Sequence, residues 1–496
     1  MTSVSLFTNM PALSGDMAEV LRLFLGNIDL RVNEPGGEMI FTHTEAEENG
    51  LRTVTVTDGI RTHETRETVT GDAVVDKRLR RRQAKLGVYQ VLKERTGVTP
   101  PWGSLTGIRP TRLLYANLDK GLDMDAACGE LRRVFDVSEE KTAILRQIVT
   151  VQRELPLPTL READLYIGIP FCVTRCAYCS FLSGEVGNGA LLAPYVDALC
   201  REIDAAQALL EQTGLRLRAF YMGGGTPTSL PPQLLARALE RAAPLLQRCG
   251  EITVEAGRPD TLDGEKLEVL RRFGVTRISV NPQTMHDDTL ERIGRRHTTR
   301  QTEAAYRLAR DMGFDHINMD LIAGLPGEDL EKFRQTLHWL RELAPESMTV
   351  HTLSIKRSSL LHLWQAQLPD GDMVADMVRA GADMARRMGM RPYYLYRQKY
   401  MAGNQENVGY ALPRHECLYN IDMMEETASV IALGAGAASK RLFPRQGFIR
   451  RAFNVSDIRQ YIDRVDEMAE RKRALFLADE NDVSSGKESM DTGENR

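Results

Sequence analysis

The middle of this chain predicts an α/β fold with a parallel sheet, and three observations carry that prediction. Short apolar segments alternate with longer amphipathic ones from about Asp164 to Lys356, glycine or proline turns punctuate most junctions, and a cysteine triple follows the first apolar segment. The strands read as Leu165–Ile169, Ala219–Met222, Ile252–Ala256, Arg277–Asn281, Ile317–Ile322 and Met348–Ser354. Between them, Leu191–Glu211, Pro232–Leu246, Glu265–Phe273, Gln301–Met312 and Asp329–Leu343 carry the three-and-four spacing of helices with one buried face. Strand–helix alternation at this rhythm is the pattern of right-handed βαβ units, which lay their strands side by side in parallel.

The flanks differ. Residues 1–160 lack the alternation: Glu38–Thr44 and Leu51–Asp58 read as a strand pair joined by the polar stretch Thr44–Gly50. The basic run Lys77–Lys85 opens a helical stretch through Leu92, and such a run is more often a solvated helix face than an anion site. Pro100-Pro101 and Gly107–Thr111 mark turns before helices at about Asp123–Phe135 and Ser138–Arg153. These features describe a small α+β domain with a helical connector. The strand–helix core takes 161–390, and Asp372–Met388 adds a last helix to it. Residues 391–477 form a further segment in which Arg391–Tyr410 is aromatic and basic and Ile431–Arg441 contains Leu-Gly-Ala-Gly-Ala-Ala-Ser. The polar tail 478–496 is too poor in apolar residues to fold and is expected to be disordered.

Composition narrows the function classes. At 496 residues, with 64 Lys+Arg against 68 Asp+Glu and a net charge of −4, nothing in the overall balance points to nucleic acid. No run of 18 apolar residues predicts a membrane span, and the start Met-Thr-Ser-Val-Ser-Leu-Phe has no signal-peptide pattern. Cys128, Cys200, Cys249 and Cys417 are irregularly spaced and read as free thiols, which fits the cytoplasm.

Cys172, Cys176 and Cys179 are different. Their CxxxCxxC spacing, directly after the first strand, lets one loop bring three thiolates to three irons of a [4Fe–4S] cube and leaves the fourth iron open to a small chelating molecule. Three buried structural cysteines, or three zinc ligands with a fourth elsewhere, are the plainer alternatives. Other polar motifs fall where strands end. Gly223–Thr228 follows the second strand, and glycines there allow backbone N–H and C=O groups close to a ligand. Glu255 ends the third strand, Gln283 follows the fourth with Arg295 beyond it, and Asp320 lies in the fifth. Each alone is an ordinary polar residue; their arrival at strand ends in order is the argument.

The cysteine motif resembles that of the radical S-adenosylmethionine (SAM) enzymes. Asn281–Thr284, Gly294–Thr298, Asn318–Pro326, Val350–Arg357, Tyr393–Lys399 and Gly403–Tyr410 extend the likeness to the oxygen-independent coproporphyrinogen III oxidase family, the HemN/HemZ/HemW group, over about Ala163–Ile458. The HemZ branch is the nearest by these phrases. The resemblance implies a partial (β/α)6 barrel with an N-terminal α+β/helical extension and a C-terminal helical/α+β segment, functional groups sitting at the C-terminal strand ends. It implies a [4Fe–4S] cluster on Cys172, Cys176 and Cys179, and SAM contacts at Tyr166, Tyr178, Gly224, Gly225, Thr226, Glu255, Gln283, Arg295, Asp320, Ser354 and Ala438. A second SAM is left open. No catalytic side chain beyond cluster and SAM is implied, and a reductant such as flavodoxin or ferredoxin is the expected partner.

What the resemblance implies about activity is oxidative decarboxylation of coproporphyrinogen III to protoporphyrinogen IX, with Lys356, Arg357, Arg397 and Lys399 as candidates for holding substrate carboxylates. One position departs: HemN-type oxidases have a fourth cysteine two residues after the third, whereas here Phe181 stands there, as in the heme-trafficking HemW branch. The alternative is therefore a heme-binding chaperone or heme-modifying protein, with His297, His351, His362, His415 or Cys417 as axial-ligand candidates. A third reading is radical chemistry on another substrate.

Overall fold

The computed structural model describes residues 1–107, 109–179, 183–356, 359–363, 368–399, 401–444, 447–478 and 488–489, with the side chains of 362, 488 and 489 left aside. Phe181, Arg357 and most of the polar tail lie outside the described residues. The chain divides into two compact units, residues 1–146 and 147–490.

The first unit is built on a five-stranded sheet. Strands β1 (Thr2–Thr8), β2 (Ile28–Val32), β3 (Met39–Glu48), β4 (Leu51–Thr57) and β5 (Thr62–Thr68) stand in the order β2-β1-β3-β4-β5. Helices α1 (Ser14–Leu25) and α2 (Ala73–Thr96) are followed by α3 (Pro110–Asp119), α4 (Met124–Phe135) and α5 (Glu139–Glu154), in which the division of the chain falls. Its core joins Val4, Leu6, Phe41, Val54 and Val56 of the sheet to Met17, Leu21, Val88, Tyr89 and Leu92 of α1 and α2. The Lys77–Lys85 run lies in α2, and its cations meet carboxylates: Arg81 faces Asp16, Arg82 faces Glu67, and Lys85 faces Asp16 and Glu19. Lys77 at the start of the run is exposed and Lys85 at its end is buried, so the run is partly solvated and partly ion-paired within the unit.

The second unit carries the strand–helix alternation. Its strands begin with β6 (Glu162–Ile169), the two-residue pair β7 (Phe171–Cys172) and β8 (Gly184–Glu185), β9 (Arg216–Gly224), β10 (Glu251–Glu255), β11 (Arg277–Ser279), β12 (Ile317–Ala323) and β13 (Ser347–Thr352). The helices between them are α6 (Leu192–Thr213), α7 (Pro232–Leu246), α8 (Gly264–Arg272), α9 (Asp287–Arg292), α10 (Thr299–Asp311) and α11 (Leu330–Leu343). Their ends carry the stop and start signals that helices need. Gly214 closes α6 with φ 65°, and Thr298 and Gln301 form a reciprocal capping box at the start of α10.

Strands β6, β9, β10, β11, β12 and β13 are parallel and adjacent in sequence order, as the alternation requires. Burial on both faces accounts for their near-continuous apolar sequences. The chain then returns through α12 (Leu360–Leu363) and α13 (Gly371–Arg387) to β14 (Arg391–Tyr396) and β15 (Asn407–Ala411), antiparallel strands added beyond β13. After α14 (Leu418–Glu425), strand β16 (Ser429–Leu433) lies parallel to β6 on the opposite side. β17 (Ala438–Phe443), β18 (Phe448–Phe453) and β19 (Glu488–Ser489), with α15 (Ile458–Leu477) between the last two, complete a twelve-stranded sheet in the order β14-β15-β13-β12-β11-β10-β9-β6-β16-β17-β18-β19. The sheet is open: β14 and β19 are its edges among the described residues, which makes it a partial barrel. Residues after 390 thus extend the core's own sheet.

Candidate active site at the C-terminal strand ends

A cavity of about 380 Å³ opens at the C-terminal ends of the parallel strands, within the range of small-molecule and cofactor sites. Cys172, Cys176 and Cys179 line it, all three partly accessible and none in a disulfide. Their loop is held from several sides. Cys179 N–H donates to the Cys176 carbonyl at 3.0 Å and Ala177 N–H to the Ile293 carbonyl at 2.9 Å, while Ala177 C=O accepts from Leu361 N–H at 3.0 Å. Gly294, with φ 75°, lies against the loop; a Cβ there would meet the Arg175 carbonyl oxygen at 3.3 Å. Arg258, which the sequence did not single out, braces the same loop: its guanidinium donates to the Thr174 carbonyl and hydroxyl at 3.0 and 2.9 Å and is held by Asp260.

The glycine motif wraps the base of that loop. Gly225 N–H donates to the Ile169 carbonyl and Thr226 N–H to the Phe171 carbonyl, both at 2.8 Å, and Thr226 Oγ1 stands 3.5 Å from Cys172 Sγ. At Gly225 a Cβ would sit 2.6 Å from the Phe171 carbonyl oxygen, so only glycine allows this approach.

Polar strand ends make the floor and wall. Tyr221 donates its hydroxyl to Glu255 Oε1 at 2.6 Å. Burial pushes the Glu255 carboxyl up to about 7 in spite of that bond, so the site can hold this group in either protonation state near neutrality. Burial works against Asp320 too, yet hydrogen bonds from His351, Asn318 and Thr349 outweigh it and keep its carboxyl below the usual range. Asp320 accepts from Asn281 Nδ2 at 2.8 Å and Asn318 Nδ2 at 2.7 Å, with His351 Nε2 at 3.6 Å. Arg295 donates to the Asn281 carbonyl at 2.8 Å and to the Tyr178 hydroxyl at 3.3 Å, tying the cysteine loop to the fourth strand end. Burial raises the Tyr178 phenol, which keeps it a neutral partner. Gln283 has φ 63°, a sparsely populated region for a residue with a side chain, and its buried Oε1 accepts from nothing among the described residues.

Of the residues expected to contact SAM, the cavity therefore gathers Tyr178, Gly224, Gly225, Thr226, Glu255, Gln283, Arg295, Asp320 and Ser354. Two stand apart. Tyr166 lies below, stacked with Tyr221 (ring centroids 6.4 Å) and Tyr419 (6.2 Å), and Ala438 is an exposed residue opening β17. Among the carboxylate-binding candidates Lys356 lines the cavity, while Arg397 is buried and donates to Asn404, and Lys399 offers its backbone carbonyl to Ser354 Oγ at 2.9 Å. The side chain of His362 lies outside the described residues, and among the other axial-ligand candidates His351 alone lines the cavity. His297 is buried away from the cavity, 3.7 Å from Asp260, with burial pushing its imidazole down to about 3; His415 packs against His316, and Cys417 donates to Glu251. The cavity's lower end is closed by α14, whose Asn420 and Met424 line it. No motif announced that contribution.

The donor set fits the cofactors that the sequence implies. Among the described residues no three Cys, His, Asp or Glu side chains are grouped as for a single metal ion. Thiolates sharing one zinc lie about 3.8 Å apart, as 2.3 Å tetrahedral bonds dictate, whereas a cubane takes each thiolate on a separate iron and holds them further apart. The orphaned Gln283 Oε1, the unpartnered Ser279 Oγ and the close backbone at Gly225 are what a polar ligand would complete.

Comparison with known proteins agrees with the geometry. Residues 166–340 match the family model described as the radical SAM superfamily. The chain is 40% identical over 391 residues, 77% of its own length and 78% of the relative's, to a Bacillus subtilis protein named oxygen-independent coproporphyrinogen-III oxidase-like protein HemZ. It is 31% identical over 297 residues, 59% of this chain and 73% of the other, to the heme chaperone HemW of Escherichia coli. The solved structure of Escherichia coli HemN, titled as a coproporphyrinogen III oxidase and radical SAM enzyme, superposes with a TM-score of 0.50 at 22% identity, covering 62% of this chain and 70% of that one. A cysteine loop at the first strand of an open parallel sheet, with this similarity across most of its length, makes the chain a member of the radical SAM superfamily, within the HemN/HemZ/HemW family.

Proposed function

We propose that this protein oxidatively decarboxylates coproporphyrinogen III to protoporphyrinogen IX without oxygen. The observation that carries the reading is the cavity in which the three cysteines, the polar strand ends and the cationic Lys356 meet. Cys172, Cys176 and Cys179 would hold a [4Fe–4S] cluster, and Gly224, Gly225, Thr226, Glu255, Gln283, Arg295, Asp320 and Ser354 would receive SAM. When bound, these cofactors would supply hydrogen-atom abstraction at the β-carbon of a substrate propionate, the substrate then losing CO₂ and one electron to leave a vinyl group.

The chain's own contribution is position and dryness. Glu255 and Asp320 offer carboxylate oxygens for hydroxyl or ammonium groups, and the glycine turn lets backbone approach. Tyr394, Tyr396 and Leu353 line the wall and keep water from the reacting carbon. Lys356, exposed in the cavity, is the chain's cation for a propionate carboxylate. The electron that enters the cluster would come from a small reductant such as flavodoxin or ferredoxin; the electron that leaves the substrate requires an acceptor of its own.

A second reading is heme delivery. It is supported by 31% identity to a heme chaperone and by His351 on the cavity wall. Against it, His351 already has Asp320 at 3.6 Å on one ring nitrogen and the Tyr396 hydroxyl at 3.5 Å on the other. An anaerobic assay of reconstituted protein with SAM, dithionite and coproporphyrinogen III separates the two. Protoporphyrinogen formed alongside 5′-deoxyadenosine is the expected outcome; SAM cleavage without decarboxylation, together with tight heme binding, would transfer the protein to the heme-handling role.

A further inference from the structure

Far from the cavity in sequence, α15 supplies two side chains to a buried polar hub centred on Glu202 of α6. The Glu202 carboxylate is 1% exposed and accepts four donors: Lys472 Nζ and Tyr461 OH from α15, Asn454 Nδ2 at 2.8 Å, and the backbone N–H of Gly434 at 2.7 Å. Lys472, 3% exposed, also donates to Asn454 Oδ1, and Asn454 Nδ2 donates to the Gly434 carbonyl at 2.7 Å. Both backbone groups of Gly434 are therefore gripped by one buried charge network. Such a network costs much to bury unless every member is satisfied, and here the carboxylate and ammonium are.

Gly434 begins the loop from β16 to β17, and it leads directly to the cysteines. β16 pairs with β6 through Leu433 and Ile167, and a Cβ on Gly434 (φ 100°) would stand 2.3 Å from the Gly168 carbonyl oxygen. Tyr195 of α6 stitches the two strand ends together. Its hydroxyl donates to the Gly168 carbonyl at 2.6 Å and accepts from Ala435 N–H at 3.1 Å. Its ring meets Phe171 edge-on at 5.2 Å and Tyr461 of α15 at 5.2 Å. Phe171 immediately precedes Cys172, and its carbonyl takes the Thr226 N–H. A continuous set of contacts thus runs from α15 through Glu202 and Tyr195 to the first cysteine and the glycine turn.

We infer that Glu202, Lys472 and Tyr461 are positioning residues: the C-terminal helix holds the 434–437 loop against Gly168 and so sets the cysteine loop for cluster and SAM. The inference rests on reading that loop as the cofactor site. Direct hydrogen-bond partners of metal ligands change affinity by about 10- to 100-fold when lost, and a chain of contacts such as this one should act at or below the lower end of that range.

The test compares Lys472→Met with the double variant Glu202→Gln/Lys472→Met, in which the amide oxygen still accepts from Gly434 and no buried charge is orphaned. Arg310→Met, which breaks the Arg310–Glu346 pair away from the cavity, is the control for general destabilisation. Amide hydrogen exchange on the protein without cofactors is read first. Lys472→Met should speed exchange at 434–437 and 168–176 while leaving residues 1–146 unchanged, and the double variant should restore protection. On reconstituted protein, SAM affinity should fall about tenfold in Lys472→Met and return to within about threefold of the parent in the double variant. Faster exchange confined to α15, or a SAM affinity as unchanged as in Arg310→Met, would overturn the inference. If Lys472→Met does not fold, the double variant decides alone: loss of SAM affinity despite protected 434–437 amides would also overturn it. A parent protein that binds no SAM would defeat the proposed function, and the exchange result would still stand or fall by itself.

Discussion

The two ends of the same parallel strands are finished in opposite ways. At the N-terminal end, charge is matched to charge: Arg218 donates to Asp422 at 2.7 Å, Arg277 donates to the His415 carbonyl at 2.6 Å, and Glu251 accepts from the N–H groups of Leu418 and Tyr419 at the start of α14. At the C-terminal end, the strands present a carboxyl lifted to about 7, an amide oxygen with no partner among the described residues, a non-glycine residue at φ 63° and a glycine that no side chain could replace. Most of the groups named at one end have partners within the protein; the other end leaves polar groups that a ligand would complete. Asp164 is an exception at the matched end, and Arg277 Nη1 is another buried atom there without a hydrogen-bond partner among the described residues. Burial, with Asp422 nearby, pushes the Asp164 carboxyl up, and neither of its oxygens has a hydrogen-bond partner among the described residues.

The contrast can be broken most sharply at the cysteines. Cys172→Ala, Cys176→Ala and Cys179→Ala should each abolish 5′-deoxyadenosine formation while leaving a folded, colourless protein; retained cleavage in any one would remove that residue from the ligand set. At the opposite end, Arg218→Leu should cost about 3–5 kcal/mol of stability by stranding Asp422, read as a lower denaturant midpoint. SAM affinity of the fraction that folds should stay near the parent's, and a large loss of it would erase the functional difference between the ends. Gly225→Ala should lower cluster retention and SAM affinity by about 10- to 100-fold, because its Cβ would displace the Phe171 carbonyl.

Much of this division was legible in the sequence. The CxxxCxxC spacing, the Gly223–Gly225 run and the strand-end order of Glu255, Gln283 and Asp320 are local patterns, and the cavity gathers them. Other features were not legible because they depend on distant pairing. Arg391–Tyr410 showed aromatic and basic content but not that it folds into β14 and β15, and nothing marked β16 as a parallel neighbour of β6. In the first unit, strand β5, Thr-His-Glu-Thr-Arg-Glu-Thr, has no apolar residue to announce it. Tyr166 and Ala438 came by family likeness; Tyr166 stacks on Tyr419 of α14 with its hydroxyl near Gly224, and Ala438 is exposed at the start of β17.

Two smaller effects sharpen the comparison. Gln283→Ala should leave stability within about 1 kcal/mol, since the orphaned oxygen contributes nothing without ligand, yet weaken SAM binding. Equal losses in both measurements would make Gln283 structural. Last is the pH response. Glu255 has a folded-state value raised to about 7 against an ordinary value near 4.3, so it favours the folded state at low pH and that contribution fades as pH rises toward 7. The ionised form is the better acceptor for SAM, so affinity should climb through about pH 7 in the parent and become flat there in Glu255→Gln. Titrations at several pH values check both slopes.

The placement of α14 against the cavity bears on the order of binding in the proposed reaction. Asn420 and Met424 line the cavity from α14, and the exposed Lys356 lines it from the segment after β13. On the proposed function, a macrocycle held at Lys356 would cover the smaller cofactor beneath it, so the cofactor would enter first and its fragments would leave last. Ordered binding, SAM before the porphyrinogen, is the kinetic signature that this arrangement would leave on the proposed reaction.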